Sequence, residues 1–224
     1  MDDKMVRVVG ILLDSFFPLL KAGVMFTVPL TIISFFLGMI IAFAVAIIRV
    51  LNIRVLDKIV KFYVWIIRGT PLLVQLFIIF YGLPSVGITL NALVTAIIGF
   101  SLSVGAYGSE TIRAAILSVP KGQWEAAHAL GLSKLQALRY VIVPQAIKVA
   151  IPPMANSFIS LVKDTSLAAA VTFTELFKVA QQITARTYEP LWLYVEAAFI
   201  YLIFCSVLSV LQSRLEIRFS KSGD

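Results

Sequence analysis

The segment that decides the fold is a polar, alanine-rich stretch in an otherwise apolar chain: residues 125 to 145 read EAAHALGLSKLQALRYVIVPQ. Its first part contains good helix formers, and three alanines give that helix a narrow face. Gly131 is placed to end the helix in a left-handed cap. Ser133 then opens a second helix, Gln136 completes a capping-box pattern, and Pro144 marks an end or a kink. The segment is therefore predicted to be two short helices held at an angle.

Two interpretations of this loop are open from the residues alone. A pair of capped helices forms a rigid protrusion that suits insertion into a groove of another protein, where small alanines permit close approach and Glu125 meets a basic rim. The other interpretation is an amphipathic surface hairpin that only connects two membrane spans, since capped helices occur in many settings.

The composition around this loop indicates a membrane protein. The chain has 224 residues, of which 60% are hydrophobic and 14% are charged, and its mean hydropathy is +0.96. Soluble domains usually carry about 25% charged residues. A chain this short cannot bury so much apolar surface in one aqueous core, so a bilayer must cover part of it. The predicted class is an all-α integral membrane protein.

Mostly apolar runs long enough for a bilayer, about 20 residues each, predict five transmembrane helices. They lie between Lys21 and Arg49, near 60–81, near 90–108, near 149–173 and over Leu191–Leu211. The uncharged run from Gly69 to Ser109 is too long for one helix, and the Gly-Pro-rich segment 82–87 divides it into a hairpin. The chain is predicted to be a single transmembrane domain (1–224), with an interfacial N-terminal segment (1–20) and a cytoplasmic coupling loop (119–145).

The distribution of positive charge predicts the orientation. With five spans, the loop at 49–68, the loop at 110–148 and the tail from 212 share one side of the membrane. These segments hold thirteen of the 19 Lys and Arg residues. The positive-inside rule therefore places the loop that contains residues 125–145 and the C-terminus in the cytoplasm, and the N-terminus outside. The expected location is the inner membrane of a bacterial cell, with several passes.

A polar group interrupts the fourth predicted span. Lys163, Asp164, Thr165 and Ser166 separate two apolar runs, and Pro152-Pro153 weakens the helix before them. A charge at membrane depth costs at least about 2.5–3.5 kcal/mol on insertion scales, so it normally faces a partner or an aqueous cavity. Interrupted helices near the midplane are where transporters often bind substrate.

These four residues and Glu196, which lies about two turns into the fifth span, are the candidate substrate-binding residues. In the alternative, structural interpretation, Lys163 and Asp164 pair with each other or with Glu196 and lock the helix bundle. Glu110 and Arg113, three residues apart on one helix face, are expected to form a local ion pair.

Other polar residues have simpler interpretations. Arg68 is expected to snorkel at the inner boundary of the second span, where the following Gly-Thr-Pro fixes a bend. His128 is expected at a solvated helix position. The sequence has no G-x-x-x-x-G-K-[ST] phosphate loop, no metal-ligand spacing and no nucleophile–base motif, so no cofactor, metal site or catalytic residue is expected. The energy for any active transport must then come from another protein.

Several motifs together resemble the permease subunits of binding-protein-dependent ABC importers, in the polar amino acid uptake family. Glu125-Ala126-Ala127, Gly131 and Val143-Pro144 resemble the EAA signature of these subunits. Further similar segments follow in the same order as in the family: Arg68-Gly69-Thr70-Pro71-Leu72-Leu73-Val74-Gln75, Ala106-Tyr107 with Glu110 and Arg113, Lys121-Gly122-Gln123, and Lys163-Asp164-Thr165-Ser166-Leu167. Together they cover most of residues 65–170.

The resemblance implies the fold of type I ABC importer permeases and a set of partners. Two such subunits, identical or different, form the pathway, two cytoplasmic ATPases drive it by alternating access, and a periplasmic or lipid-anchored binding protein delivers the amino acid. The resemblance also implies an EAA coupling helix that docks on an ATPase. The residues expected to make this contact are Trp124, Glu125, Ala126, Ala127, Leu130, Gly131 and Leu132.

The sequence leaves the substrate open and allows two alternative functions. The acidic residues Asp164 and Glu196 favour a basic amino acid such as arginine, lysine or histidine, and glutamine is a rival. A stand-alone secondary transporter or channel is disfavoured by the lack of a visible inverted repeat. A membrane anchor with no pathway of its own is disfavoured by the polar group in the fourth span.

Overall fold

The computed structural model describes residues 3–220 for the backbone and 3–214 for side chains, and over these residues the regular elements are all helices. The α-helices are α1 (Asp3–Ala22), α2 (Val28–Leu51), α3 (Arg54–Gly69), α4 (Leu72–Phe77), α5 (Ala92–Ser118), α6 (Lys121–Ala129), α7 (Lys134–Ala137), α8 (Val143–Asp164), α9 (Leu176–Thr187) and α10 (Pro190–Ser220). Segments of π-helix lie at Gly23–Thr27, Ile78–Gly82 and Leu138–Ile142, and 3₁₀-helices at Leu83–Val86 and Thr165–Val171. The predicted all-α class is confirmed.

Within this described part, three helical stretches are long and apolar enough to cross a bilayer: Asp3–Leu51, Ala92–Ser118 and Pro190–Arg214. The first has 49 residues, which would measure about 74 Å if straight, more than twice the hydrocarbon core. Only part of it can therefore span, and the interfacial position of residues 1–20 stays a prediction. The count of five spans also stays a prediction, because α8, with its lysines and aspartate, is not among these stretches.

The second predicted span is broken where the sequence indicates a bend. Helix α3 ends at Gly69, and the helical pair Arg54–Gly69 and Leu72–Val86 turns by 106°. Pro71 disfavours a helical conformation for the residue before it, and Thr70 is extended, with φ −123° and ψ 146°. Gly87, at the tip of the predicted hairpin, has φ +85°, a left-handed conformation that glycine adopts without strain.

The chain forms two compact units. The first comprises the described part of Met1–Ser34 with Leu73–Phe100 and Ile159–Val210. Its buried core joins α1, α9 and α10 through Leu19, Leu176, Ala180, Ala197 and Ile200. Gly23 lies at the α1 end of this core, where an added Cβ would be 2.5 Å from the ring of Phe204. Burying these apolar side chains fixes the helices that surround the polar group at 163–166.

The second unit comprises Phe35–Leu72, Ser101–Phe158 and the described part of Leu211–Asp224. One buried cluster joins α2, α5, the π-helix Leu138–Ile142 and α8: Ala42, Ala46, Ile112, Ala115, Ile116, Val119, Leu138, Ile142, Ala146 and Ala150. Trp124 of α6 packs against this cluster. The loop predicted to be a rigid protrusion is therefore attached to the core of this unit.

Glycines let α2 and α5 approach closely in this unit, as small residues do between membrane helices. A Cβ on Gly38 would lie 2.5 Å from Val104 Cβ and 2.9 Å from the Ser101 backbone oxygen. A Cβ on Gly105 would lie 2.6 Å from Ile41 Cγ2. Neither helix has room for a methyl group at these positions.

Gly38→Ala is therefore expected to lower the free energy of unfolding by about 1–3 kcal/mol, because the added methyl group overpacks the interface. Thermal unfolding of the full-length chain in detergent measures this change. Gly10→Ala in α1 is the matched control, since no described atom lies within 4 Å of its added Cβ, and it should leave the unfolding midpoint unchanged or raise it. Equal midpoints for the two variants would show that the close packing at Gly38 is not required.

Candidate functional site

The polar group of the fourth predicted span lies where α8 gives way to a 3₁₀-helix. Asp164 is the last residue of α8, and Thr165 begins the 3₁₀ segment. Lys163 and Asp164 are exposed, and neither belongs to an ion pair among the described residues. The structural interpretation, in which these two charges pair and lock the bundle, is therefore not supported by their positions.

Lys163 and Ser166 line a cavity of about 530 Å³ in the first unit. One face of α10 forms the opposite wall, through Tyr194, Ala197, Ala198, Tyr201, Leu202 and Cys205, and Phe177 of α9 completes it. The Ser166 hydroxyl donates to the Lys163 backbone oxygen at 2.8 Å, so its lone pairs stay available to a ligand. Pockets of this size, mostly apolar with a few polar groups, are typical small-molecule sites.

Three of the five candidate residues do not line this cavity: Asp164, Thr165 and Glu196. Thr165 is fully buried, and its hydroxyl donates to the Val162 backbone oxygen at 2.7 Å. Glu196 is 9% exposed, and its Oε2 accepts a hydrogen bond from the Ser15 hydroxyl of α1 at 2.5 Å. Neither side chain lines the cavity that Lys163 and Ser166 share.

A buried carboxylate beside the cavity was not recognised in the sequence. Glu175 is fully buried and caps α9, because its carboxylate accepts from the backbone nitrogens of Phe177 at 2.9 Å and Lys178 at 2.7 Å. The Tyr201 hydroxyl donates to the same carboxylate at 2.7 Å. Glu175 therefore fixes the orientation of Tyr201, which lines the cavity. The residues adjacent to Glu175 in the sequence give no indication of this contact, since its partner lies 26 positions away.

The predicted caps of the coupling loop are present. Gly131 is left-handed, with φ +77°, and the Leu132 nitrogen donates to the Ala127 oxygen at 3.1 Å. The Ser133 hydroxyl accepts from the Gln136 nitrogen at 3.3 Å, and the Gln136 side chain accepts from the Ser133 nitrogen at 2.9 Å. The first helix begins at Lys121, because Pro120 takes the N-cap position.

The residues expected to contact an ATPase fall into two sets on this loop. Ala127 is buried, and Trp124 and Leu132 are half-buried, so these three hold the loop on its unit. The other set faces outward: Glu125, Ala126, Leu130 and Gly131. Leu130 is the large apolar side chain of this set and is 80% exposed.

Glu110 and Arg113 form the predicted local ion pair. Arg113 Nη2 lies 2.9 Å from Glu110 Oε2. The other carboxylate oxygen accepts from Arg49 of α2, a contact that the local sequence pattern does not reveal. His128 is exposed as predicted, and its Nδ1 lies 3.1 Å from the Leu132 oxygen.

Comparison with known proteins extends these observations. A family described as "Binding-protein-dependent transport system inner membrane component" matches residues 34–221. The L-cystine transport system permease protein TcyB of Bacillus subtilis is 53% identical over 209 residues, which cover 93% of this chain and 89% of that protein. The probable amino-acid ABC transporter permease protein YckA of the same organism is 41% identical, over 91% of this chain and 90% of that protein.

A solved structure is similar to this chain in both fold and sequence. It is described as a crystal structure of an amino acid ABC transporter with histidines. The two chains superpose with a TM-score of 0.86 at 34% identity, covering 92% of this chain and 96% of that chain.

Proposed function

Because the chain belongs to the family of binding-protein-dependent transport system inner membrane components, we propose that it forms the membrane pathway of an ATP-driven amino acid importer. The chain is an amino acid ABC transporter permease of the type I fold, a transport component rather than an enzyme. The observation that carries the proposal is the cavity of about 530 Å³ that Lys163 and Ser166 line at the helical break, with the exposed, oppositely charged Asp164 next to Lys163 in the chain.

This pair matches the chemistry of a free amino acid. The Asp164 carboxylate complements the substrate's ammonium group, and the Lys163 ammonium complements its carboxylate. Hydrogen bonds to charged groups are about twice as strong as neutral ones, and more so away from bulk water. Ser166 supplies a further acceptor for the ammonium group. Thr165 and Glu196 play a positioning role. Thr165 bonds to the backbone of Val162 and Glu196 bonds to Ser15 of α1, and these bonds hold the helices that carry the contacting residues.

The same charges favour L-cystine as the substrate. The preference for a basic amino acid depended on two acidic residues facing one site, but Glu196 accepts from Ser15, and the charged residue that lines the cavity is Lys163. Lys163 would repel a cationic side chain. L-cystine has no net charge at neutral pH, and TcyB at 53% identity is an L-cystine permease. A basic amino acid, histidine first, is the second candidate, because the solved relative is described with histidines.

The partners follow from the outward side of the coupling loop. In this proposal Glu125, Ala126, Leu130 and Gly131 contact a cytoplasmic ATPase, whose ATP-driven closure moves the loop as a rigid body with the core to which Trp124 is attached. A second permease subunit completes the pathway, and a binding protein delivers the amino acid from outside. The orientation with the N-terminus outside and the C-terminus in the cytoplasm is part of the proposal.

A binding screen on the purified intact transporter tests the substrate. The unfolding midpoint is measured with L-cystine, L-histidine, L-arginine, L-lysine or L-glutamine, since a ligand at a hundred times its Kd stabilises the folded state by about 2.7 kcal/mol. The largest rise is expected with L-cystine. A larger rise with histidine would replace cystine by the second candidate, and no rise with any amino acid would contradict the proposed import function.

A further inference from the structure

Three arginines from three helices surround a single carboxylate in the second unit. Glu110 of α5 accepts from Arg49 of α2 through Oε1, and from Arg113 Nη2 at 2.9 Å and Nε at 3.1 Å through Oε2. Arg68, in the last turn of α3, has its Nη1 3.8 Å from Oε1, beyond hydrogen-bond distance. With three guanidinium groups and one carboxylate, the cluster carries a net charge of about +2, since arginine stays protonated.

The surplus charge is accessible, and some of its hydrogen-bond donors are unused. The Arg68 side chain is 44% exposed and that of Arg113 is 32% exposed. The Arg68 guanidinium lies 5.3 Å from the centroid of the Tyr107 ring, a contact that leaves its N–H edges free. Arg49 Nε is buried and has no hydrogen-bond partner in the part of the chain that the structure describes. A network that only tied the helices together would not need the third arginine.

We infer that this cluster binds the phosphate group of an anionic phospholipid. Basic pockets between membrane helices bind anionic headgroups, and the guanidinium fork matches two phosphate oxygens at once. The surface next to Arg68 on α3 is apolar and exposed: Phe62 is 60%, Trp65 is 70% and Ile66 is 38% exposed. An acyl chain would cover this surface while its headgroup meets the arginines, which favours a lipid over free phosphate.

The position of Trp65, one turn before Arg68, allows a direct test. In the full-length chain with Trp124→Phe and Trp192→Phe, Trp65 is the remaining tryptophan, and lipids with brominated acyl chains quench it when they bind nearby. We expect brominated phosphatidylglycerol to quench Trp65 at a lower mole fraction than brominated phosphatidylcholine. Arg68→Gln should reduce this preference by about fivefold, the effect of one basic residue at a membrane surface.

Matched controls distinguish lipid binding at the arginine cluster from general electrostatic attraction of anionic lipids to the protein. Arg54→Gln removes an exposed positive charge at the other end of α3, and Arg54 belongs to no ion pair within the described side chains. This variant should keep the preference. Arg68→Gln leaves the hydrogen bonds of Glu110 intact, so its unchanged quenching by phosphatidylcholine serves as the check on folding.

Three results would overturn the inference. The first is equal quenching by the two lipids in the parent chain. The second is an equal loss of preference in Arg54→Gln and Arg68→Gln, which would indicate general electrostatic attraction. The third is an unchanged preference in Arg68→Gln, which would show that the cluster does not hold the headgroup.

Discussion

Asp164→Asn is expected to reduce the rate of amino acid uptake by about tenfold to a hundredfold, the range for losing a hydrogen bond to a charged group. Asparagine has nearly the same shape as aspartate, but it removes the negative charge that complements the substrate's ammonium group. The initial rate of labelled L-cystine uptake, divided by the amount of inserted chain, measures the effect. Because Asp164 is exposed and belongs to no ion pair among the described residues, the fold should not suffer.

Asp14→Asn is the matched control for this variant. Asp14 is also an exposed aspartate of the first unit, on α1, and the proposed mechanism gives it no role. Uptake by this variant should stay within about twofold of the parent, as for most surface substitutions. Normal uptake by a correctly inserted Asp164→Asn variant would remove Asp164 from the substrate site.

Leu130→Asp is expected to weaken the association of the chain with its ATPase subunit by about tenfold or more, as truncation of a central interface residue does. The substitution places a charge at a side chain that is 80% exposed, so the loop itself should fold normally. Co-purification through a tag on the ATPase, followed by a titration of the two proteins, measures the change.

Leu130→Met is the corresponding conservative variant. Methionine keeps a flexible apolar side chain of similar size at this position, so the association should be retained. If Leu130→Asp co-purified with the ATPase as well as the parent chain does, the outward side of the coupling loop would not be the docking surface. The loop would then be the simple connecting hairpin that the sequence leaves as its alternative.

The features that the sequence predicts correctly are those set by neighbouring residues. The left-handed Gly131 and the capping box of Ser133 and Gln136 involve residues at most five positions apart. The 106° break after Gly69 follows from the restriction that Pro71 places on the residue before it. In each case the local sequence favours one backbone conformation, independently of the rest of the chain.

The features that the sequence does not reveal depend on contacts between distant segments. Glu196 is a candidate substrate-binding residue, and its hydrogen-bond partner is Ser15, 181 positions away. The Arg49–Glu110 contact spans 61 positions. Periodicity places such residues on a helix face without showing which helix that face meets. The preference for a basic amino acid counts Glu196 as a second acidic residue at the site. The proposed substrate changes because Glu196 contacts Ser15 instead.

The most direct test of the central claim is the uptake of labelled L-cystine into proteoliposomes that contain the intact transporter and its binding protein. The account predicts that uptake requires ATP on the ATPase side and falls by about tenfold or more in both Asp164→Asn and Leu130→Asp. Of these two variants, only Leu130→Asp should also lose its association with the ATPase. Uptake of the same rate without ATP, or in proteoliposomes that lack the ATPase, would contradict the account.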